Sequence, residues 1–378
     1  PVDRRQRQMC IRDSSSGIQA VFNVLAGDHD IQAGLRIHSD EMDRFQWEDR
    51  YGMQSGQLVM TTQATKGSDS NRIDSAEATA LFVEDRFTTG AMTITAGARY
   101  EEITVKRDDW GKTDPDRSET PSKREHTIDV VVPGIGVEYA INESQTVSVG
   151  IHKGFAPPGP GTSGVTDKAV DPETSMNTEI GFKSNKGLNS LEFTLFMNSY
   201  DNLLGADTAA SGGGSDDLFN GGAVDISGFE LYLRRILVDN GRIQMPLELA
   251  WTNTNSEFQE SFDGFWGDVS KGDELPYLPD TMIALNLGLN VDKISANISM
   301  KKTSEMRTVA GSGSISGSNA TDELTIIDLG LRYALQDNIR LSVGINNFMD
   351  DDGVVSRRPY GARPTMPRSF SLGVDYTF

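Results

Sequence analysis

From about residue 16 onward, the chain repeats one arrangement. Two segments of alternating polar and apolar residues are joined by a turn of a few residues, and a long polar segment follows. Each short turn contains Asn, Asp, Gly or Ser, which tight hairpins favour because these residues accept unusual backbone angles. The turns fall near residues 26–29, 88–90, 142–144, 185–187, 239–241, 292 and 336–338. The sequence therefore predicts a succession of antiparallel β-hairpins.

The long segments between the hairpins decide the fold class. They are rich in Gly, Ser, Asp and Pro, whereas most connections inside compact domains have only about 4 to 6 residues. They lie at about residues 46–72, 106–125, 154–170, 201–222, 257–276, 303–321 and 350–365. Strict alternation of short turns with long loops is typical of a transmembrane β-barrel, with turns on one rim and loops on the other. A soluble sandwich or propeller lacks this segregation. We therefore expect an all-β, transmembrane antiparallel β-barrel.

The two faces of the strands support a membrane location. In LTIIDLGLRYAL, an apolar row from Ile327 to Leu335 alternates with Asp328, Gly330 and Arg332. The chain ends RSFSLGVDYTF, in which every second residue from Phe370 to Phe378 is apolar. We expect this last strand to face lipid. A mean hydropathy of -0.40 and the lack of a long apolar run would indicate a soluble protein, but barrel strands hide their apolar residues among polar ones.

Charge and cysteine content exclude several classes of function. The net charge is -20, from 35 Lys and Arg against 55 Asp and Glu, which disfavours nucleic acid as a partner. The single cysteine, Cys10, excludes an internal disulfide or a thiolate metal site. It lies in the basic head PVDRRQRQMCIRDS, which has no period of two and resembles translated adapter sequence at the ends of assembled metagenomic reads. We expect residues 1–14 to be non-native and residues 15–378 to belong to the barrel.

The strand count indicates a part of a larger barrel. The pattern predicts about fifteen strands, the last at about residues 366–378. Closed bacterial barrels made from one chain have an even number of strands. No signal peptide is recognisable near the start. We therefore expect that the true N-terminus is missing and that this chain is the C-terminal portion of its barrel.

Catalytic and metal-binding motifs find little support. The four histidines, His29, His38, His126 and His152, are scattered over separate predicted strands without metal-ligand spacing. The glycine-rich stretches GSGSISGS and SGGGS lack the flanking strand and helix of a phosphate loop, and no acidic loop has the spacing of a calcium-binding EF-hand. We predict no catalytic residues, no metal site and no enzyme activity. An outer-membrane hydrolase, with Ser and His meeting across strands, is the alternative that this leaves open.

Six ordered stretches resemble a known family. They are HKGFAPPGPG (152–161), DPETSMNTEIGFK (171–183), FNGGAVDISGFEL (219–231), GDELPYLPD (272–280), GINNFMDDD (344–352) and RPYGARPTMPRSFSLGVDYTF (358–378). Together they resemble the barrel of TonB-dependent outer-membrane receptors, most closely the branch that takes up ferric dicitrate and related ferric siderophores. The resemblance implies a 22-stranded, plugged barrel in the outer membrane of a Gram-negative bacterium. It also implies that the TonB–ExbB–ExbD complex supplies the energy for transport. The plug and the TonB box are not in this chain.

Basic residues near the long loops are the candidates for ligand contact. Ferric citrate and most ferric siderophores are anionic or carry oxygen acceptors, which the guanidinium fork of arginine matches. The candidates are Arg357, Arg358 and Arg363 in the last long loop, then Lys153, and then Lys301 and Lys302. The alternative for each is contact with lipopolysaccharide phosphates or with acids such as those at residues 350–352. Asn346 and Asn347 in GINNF are expected to satisfy backbone groups where a strand ends.

The end of the chain resembles an assembly signal of the family. Phe378, with Tyr376 on the same strand face, resembles the signal that the barrel assembly machinery reads. The predicted function is TonB-dependent import of a ferric chelate, ferric citrate or another siderophore, with no cofactor of the receptor's own. A passive porin of 16 to 18 strands is one alternative. A receptor for cobalamin or carbohydrate is another, and the sequence leaves the ligand and the oligomeric state open.

Overall fold

The computed structural model describes residues 4–159, 171–206, 218–264, 267–315, 317–357 and 361–377. The described chain is built from β-strands and one short 3-10 turn, Gly317–Asn319. Among the described residues no helix is long and apolar enough to span a bilayer, which says nothing about crossing by strands. The strands are β1 Arg4–Ala26, β2 His29–Gln54, β3 Gln57–Thr62, β4 Ser70–Thr89, β5 Met92–Asp109, β6 Ser122–Asn142, β7 Gln145–Ala156, β8 Glu173–Lys186, β9 Asn189–Tyr200, β10 Leu204–Ala206, β11 Leu218–Asn220, β12 Val224–Asp239, β13 Ile243–Phe258, β14 Phe262–Gly264, β15 Gly267–Val269, β16 Thr281–Val291, β17 Ile294–Thr303, β18 Leu324–Gln336, β19 Ile339–Asn346, β20 Val354–Ser356, β21 Arg363–Pro364 and β22 Ser369–Tyr376.

One antiparallel sheet contains sixteen of these strands. Its order is β1-β2-β4-β5-β6-β7-β8-β9-β12-β13-β16-β17-β18-β19-β22, and β3 pairs with β2. In the described part of the chain the sheet is open, with β1 and β22 at its ends. The remaining strands form three pairs within the long loops, β10–β11, β14–β15 and β20–β21. The predicted all-β antiparallel fold is therefore confirmed, and fifteen strands form the main path, as the sequence pattern predicted.

All seven predicted turns join strands that pair with each other. The first hairpin runs from Arg4↔Tyr51 to Ala26↔His29, so its turn is Gly27 and Asp28. Gly27 has a φ of 63°, in the left-handed region that glycine enters without steric cost. Short turns are therefore specified locally, by the residues that lie within them.

The first long loop was predicted wrongly. Strand β2 continues through Gln54 and turns back at Ser55 and Gly56, which have φ values of 51° and 80°, into β3. The segment was predicted as a loop because it lacks alternating apolar residues, but a strand that extends beyond the hydrocarbon needs no apolar face. Residues 4–14 form the first half of β1 and pair with β2. That these residues are non-native stays a prediction.

The chain divides into two compact units, each with a small core. Unit 1 contains residues 1–86, 96–133 and 155–172, and its core is Ala78, Ile103 and Val105 with Ala76 and Phe155 packed against them. Unit 2 contains residues 87–95, 134–154 and 173–378. Its core joins Val224, at the start of β12, with Phe258, at the end of β13, and with Val269 in β15. This second core therefore lies at the long-loop ends of its strands.

The last strand has the exposed apolar side chains that the sequence predicted. Phe370, Leu372 and Val374 are 72%, 85% and 71% exposed, and Tyr376 is 54% exposed. Pairing with β19 continues from Asn346↔Ser369 to Ile339↔Tyr376. Phe378, the predicted assembly signal, lies outside the described residues.

Candidate functional site

Three long loops of unit 2 are tied together by hydrogen bonds, and Arg307 joins the first two. These loops follow β13, β17 and β19 and contain residues 259–280, 304–323 and 347–368. The Arg307 side chain donates from Nε to Glu274 at 2.5 Å and from a terminal nitrogen to the Gly313 carbonyl. The Arg307 carbonyl accepts from the Tyr277 amide at 2.8 Å. Because Arg307 is only 8% exposed, these contacts are largely removed from water.

Arg357, a predicted ligand residue, joins the third loop to the others. Its Nε donates to the Ala320 carbonyl at 2.5 Å, and a terminal nitrogen donates to the Gly317 carbonyl at 3.3 Å. Its backbone amide donates to the Tyr277 hydroxyl at 3.3 Å. The guanidinium group thus donates to two carbonyls of the second loop. Ligand contact by Arg357 stays a prediction.

The other predicted ligand residues are distributed as follows. Arg363 is exposed on β21, opposite Ser356 of β20, so it belongs to the same loop as Arg357. Lys302 donates to Glu323 at 2.9 Å, and its neighbour Lys301 is exposed. Lys153 is partly buried on β7, which the sheet order separates from the strands that carry these loops. Arg358 lies outside the described residues.

The predicted role of the asparagine pair is confirmed for Asn347, whereas Asn346 contacts a side chain instead of a backbone group. Strand β19 ends at Asn346, whose side chain donates to the Ser369 hydroxyl at 3.2 Å. Asn347 is 3% exposed, and its amide nitrogen donates at 2.9 Å to the carbonyls of Asp351 and Met366. Its amide oxygen accepts from the Asp351 backbone N–H at 2.9 Å. The Asn347 side chain therefore takes over backbone pairing where the strand stops.

Two acids in these loops have shifted pKa values. The backbone N–H of Arg368, followed by its side chain, lowers the pKa of Asp350, and the two side chains approach to 3.1 Å. Burial raises the pKa of Asp280, and nearby Glu274 raises it further, while Arg307 opposes both. The Asp350–Arg368 pair therefore stabilises the last long loop, whereas Asp280 is held in an environment that disfavours its charged form.

A cation held by aromatic rings anchors a loop of unit 1. The Arg117 guanidinium carbon lies 4.8 Å from the centre of the Trp110 ring and 5.5 Å from that of Phe45. The same side chain donates to Asn71 at 2.8 Å and to Asp43 at 2.6 Å. Its partners lie 46 and 74 residues away, so no local sequence pattern indicated this contact.

A second cluster in unit 1 is centred on the buried Asp74. Arg107 donates two hydrogen bonds to its carboxylate, at 2.6 and 3.2 Å, and Arg72 Nε lies 3.3 Å from the same group. Sequence reasoning missed this cluster. The hairpin turn at residues 88–90 could have revealed it, because pairing outward from that turn brings residues 74 and 107 together.

The histidines do not assemble into a site in the described part of the chain. His29 contacts Asp85 at 2.7 Å, and His38 contacts Asp40 at 3.3 Å, so each has its own carboxylate. Among the described residues no group of three or more His, Cys, Asp or Glu side chains could hold a metal ion. The arrangement that the structure does show is a set of loops fixed by arginines.

A family model described as the β-barrel of TonB-dependent receptor-like proteins matches residues 4–348. The chain belongs to the TonB-dependent receptor family. TonB-dependent receptors are transport receptors rather than enzymes. No curated protein matches the chain.

Solved structures share the fold of this TonB-dependent receptor chain. The siderophore receptor PiuA from Acinetobacter baumannii has a TM-score of 0.74 at 16% identity, over 97% of this chain and 56% of that one. The unliganded ferric citrate transporter FecA has a TM-score of 0.70 at 18% identity, over 99% and 55%. The copper transporter OprC has a TM-score of 0.71 at 14% identity, over 98% and 58%. The chain therefore spans little more than half of these proteins, and at such identity the likeness shows the fold alone.

Proposed function

We propose that the protein is a TonB-dependent importer of a ferric chelate across the outer membrane of a Gram-negative bacterium. The observation that carries this proposal is the family match over residues 4–348, together with three long loops of unit 2 that hydrogen bonds already hold to one another. Fixed loops favour ligand capture because little conformational entropy is lost on binding. TonB with ExbB and ExbD would supply the energy, and no cofactor or catalytic step is required.

Ligand contact is proposed for the basic residues of the last long loop. Arg357 and Arg363 lie in one loop, and Arg357 already presents its guanidinium to oxygen atoms. Arg358 and Lys153 remain candidates on the basis of sequence alone. Contact with lipopolysaccharide is the alternative for each of them. Tyr376 and Phe378 are proposed to be read by the barrel assembly machinery.

A non-iron ligand is the second candidate function. The copper transporter OprC has the same fold at a TM-score of 0.71, so the fold is compatible with cargo other than iron. A TonB-dependent receptor for cobalamin or carbohydrate is a further form of this alternative. A passive porin is the remaining alternative, and it requires that transport proceed without TonB.

Uptake in a defined host tests these functions. The full-length protein is produced in an iron-starved strain that lacks its own ferric citrate receptor, and uptake of radiolabelled ferric citrate is measured with and without TonB. TonB-dependent uptake supports the proposal, whereas uptake without TonB supports a porin. If the protein is inserted in the outer membrane but takes up no ferric chelate from a panel, the iron proposal is wrong.

A further inference from the structure

The hairpin of β2 and β3 extends far beyond the apolar band of unit 1. On β2 the exposed apolar side chains of Leu35 and Ile37 are followed, on the same strand face, by Ser39 and Glu41. The strand continues to Gln54, which is roughly 50 Å further along at about 3.3 Å per residue. The hairpin tip therefore lies in water on the side of the long loops, which in outer-membrane barrels is the extracellular side.

The tip of this hairpin nevertheless has exposed apolar side chains. The pairs Tyr51↔Met60 and Met53↔Leu58 place four of them on one face. Met53, Leu58 and Met60 are 45%, 49% and 44% exposed, and Val59 is exposed on the opposite face. Apolar side chains that cluster on the surface far from lipid indicate a binding surface.

Strand β3 is also an open edge within the part of the chain that the structure describes, because it pairs with β2 alone. In a two-residue hairpin the residues that flank the turn, Gln54 and Gln57, exchange both of their backbone hydrogen bonds, and such bonded pairs recur at every second residue. Leu58 and Met60 lie at the intervening positions. Their N–H and C=O groups therefore point away from β2.

Strand β3 lacks the features that protect sheet edges in natural proteins. Its sequence, QLVMTT, contains no charged residue and no proline, and all six residues are exposed. The register shift lies opposite Arg50 and Tyr51, at the end of β3 that is distant from the turn. The regular part of the strand is therefore a template on which another extended chain can pair.

We propose that β3 binds an extended segment of another extracellular protein, which adds to the sheet as one more antiparallel strand. This interaction is separate from the proposed import of a chelate. A polypeptide backbone supplies alternating donors and acceptors at the spacing of Leu58 and Met60, whereas lipid chains and metal chelates do not. Main-chain hydrogen bonds would provide the affinity, and apolar side chains of the segment would pack against Met53 and its neighbours.

The chemistry of the hairpin indicates a partner that differs from this chain. Copies in one membrane have the same orientation, so two projecting β3 strands would run parallel, which is the less stable pairing. The net charge of -20 repels a second copy and favours a partner of net positive charge. The bound segment itself is uncharged, because a charge beside QLVMTT would lose its water to apolar side chains.

A labelled synthetic peptide tests the site on the purified full-length protein. The peptide alternates Thr and Val and has a lysine at each end, and its binding is followed by fluorescence anisotropy. We expect the backbone amides of Leu58 and Met60 to gain protection from hydrogen exchange when it binds. The same peptide with N-methylated backbone amides cannot form the ladder and should not bind.

Two variants change the edge and leave the pairing with β2 in place. Met60→Pro removes an outward N–H that β2 does not use, and Leu58→Lys keeps the backbone but adds a charge. Each is expected to weaken peptide binding about tenfold. Leu188→Lys is the matched control, because Leu188 is similarly exposed but lies in the turn between β8 and β9.

The proposal is overturned if the unmodified protein does not bind the peptide, or if the N-methylated peptide binds equally well. It is also overturned if both edge variants bind the peptide as tightly as Leu188→Lys does. Equal binding of a peptide with a glutamate at each end would contradict the positive charge assigned to the partner. Sedimentation of the receptor alone tests a second copy as the occupant. Self-association that Met60→Pro abolishes would overturn the assignment to a different protein.

Discussion

The Arg117 guanidinium carbon lies 4.8 Å from the centre of the Trp110 ring, within the loop that joins β5 to β6. Arg117 also donates to Asn71 and Asp43, so one side chain attaches this loop to β4 and β2. Its φ of 53° shows that the backbone accepts an unfavourable conformation to make these contacts. Arg117 therefore anchors the loop together with the Asn71 side chain, which donates to the Asp114 carbonyl at 2.7 Å.

Arg117→Ala should release this loop. The change removes a cation–π contact and two charge-assisted hydrogen bonds, and we expect the free energy of local opening to fall by about 2–4 kcal/mol. Native-state hydrogen exchange of residues 110–119 measures it. Arg234→Ala is the matched control, because its contact with Glu248 is 3.6 Å long and about half exposed. Equal exchange in both variants would contradict the anchoring role.

Arg357→Ala should destabilise the loop of residues 304–323, both with and without a bound ligand. The side chain donates to the carbonyls of Ala320 and Gly317, and we expect hydrogen exchange within residues 304–323 to report a loss of about 1–3 kcal/mol. Arg363→Ala, at an exposed position, should change stability by less than about 0.5 kcal/mol. If Arg357 acted only as a ligand contact, Arg357→Ala would leave hydrogen exchange of the ligand-free protein unchanged.

Asn347→Ala should destabilise the last long loop. The substitution removes the Asn347 partner of the Asp351 backbone N–H and of the Met366 carbonyl, while the Asp351 carbonyl keeps its bond from the Thr365 hydroxyl. We expect the free energy of unfolding of this segment to fall by about 1–3 kcal/mol. Asn346→Ala removes one exposed side-chain hydrogen bond and should cost less than about 1 kcal/mol. Protease cleavage within residues 350–368 measures both. Similar cleavage rates would show that Asn347 does not hold the loop.

Sequence alone predicted the features that are encoded locally. The hairpin turns are specified by their own residues, as at Gly27, and the exposed row from Phe370 to Tyr376 is specified by alternation. Asn347 was predicted because a strand end requires replacement partners for its backbone groups. These features depend on residues within a few positions of one another.

The contacts that shape the candidate sites depend on distant residues. Arg117 meets Asp43 across 74 residues, and Arg307 meets Glu274 across 33. An arginine of this kind has the same local sequence whether it binds a ligand, a carboxylate or a carbonyl. Arg357 illustrates this, since its predicted role and its observed contacts are both typical of a guanidinium group.

The anchored loop of unit 1 should open in acid. Asp114 accepts backbone hydrogen bonds from Glu119 and then from Ser118, and these lower the pKa of its carboxyl below 3.8. Because the folded pKa is depressed, the stabilisation is fully present above the unfolded pKa and is lost as the pH falls through the folded value. We expect protease cleavage of residues 110–119 to increase below about pH 4. Asp114→Asn should remove this pH dependence, and a variant that keeps it would contradict the assignment.

Gly228→Ala should disrupt the pairing of β12 with β13. An added Cβ would overlap the carbonyl oxygen of Asn253, a backbone atom that cannot move without breaking the ladder, and would lie 2.9 Å from the Phe196 ring. Forcing extra atoms into such a site costs about 1–3 kcal/mol or more. At Gly136 an added Cβ would come no closer than 3.8 Å to the Val149 carbonyl oxygen, so Gly136→Ala is the control. The folded fraction, measured by heat-dependent gel mobility of outer-membrane preparations, should fall for Gly228→Ala alone. Equal folding of the two variants would show that the strands do not approach so closely at Gly228.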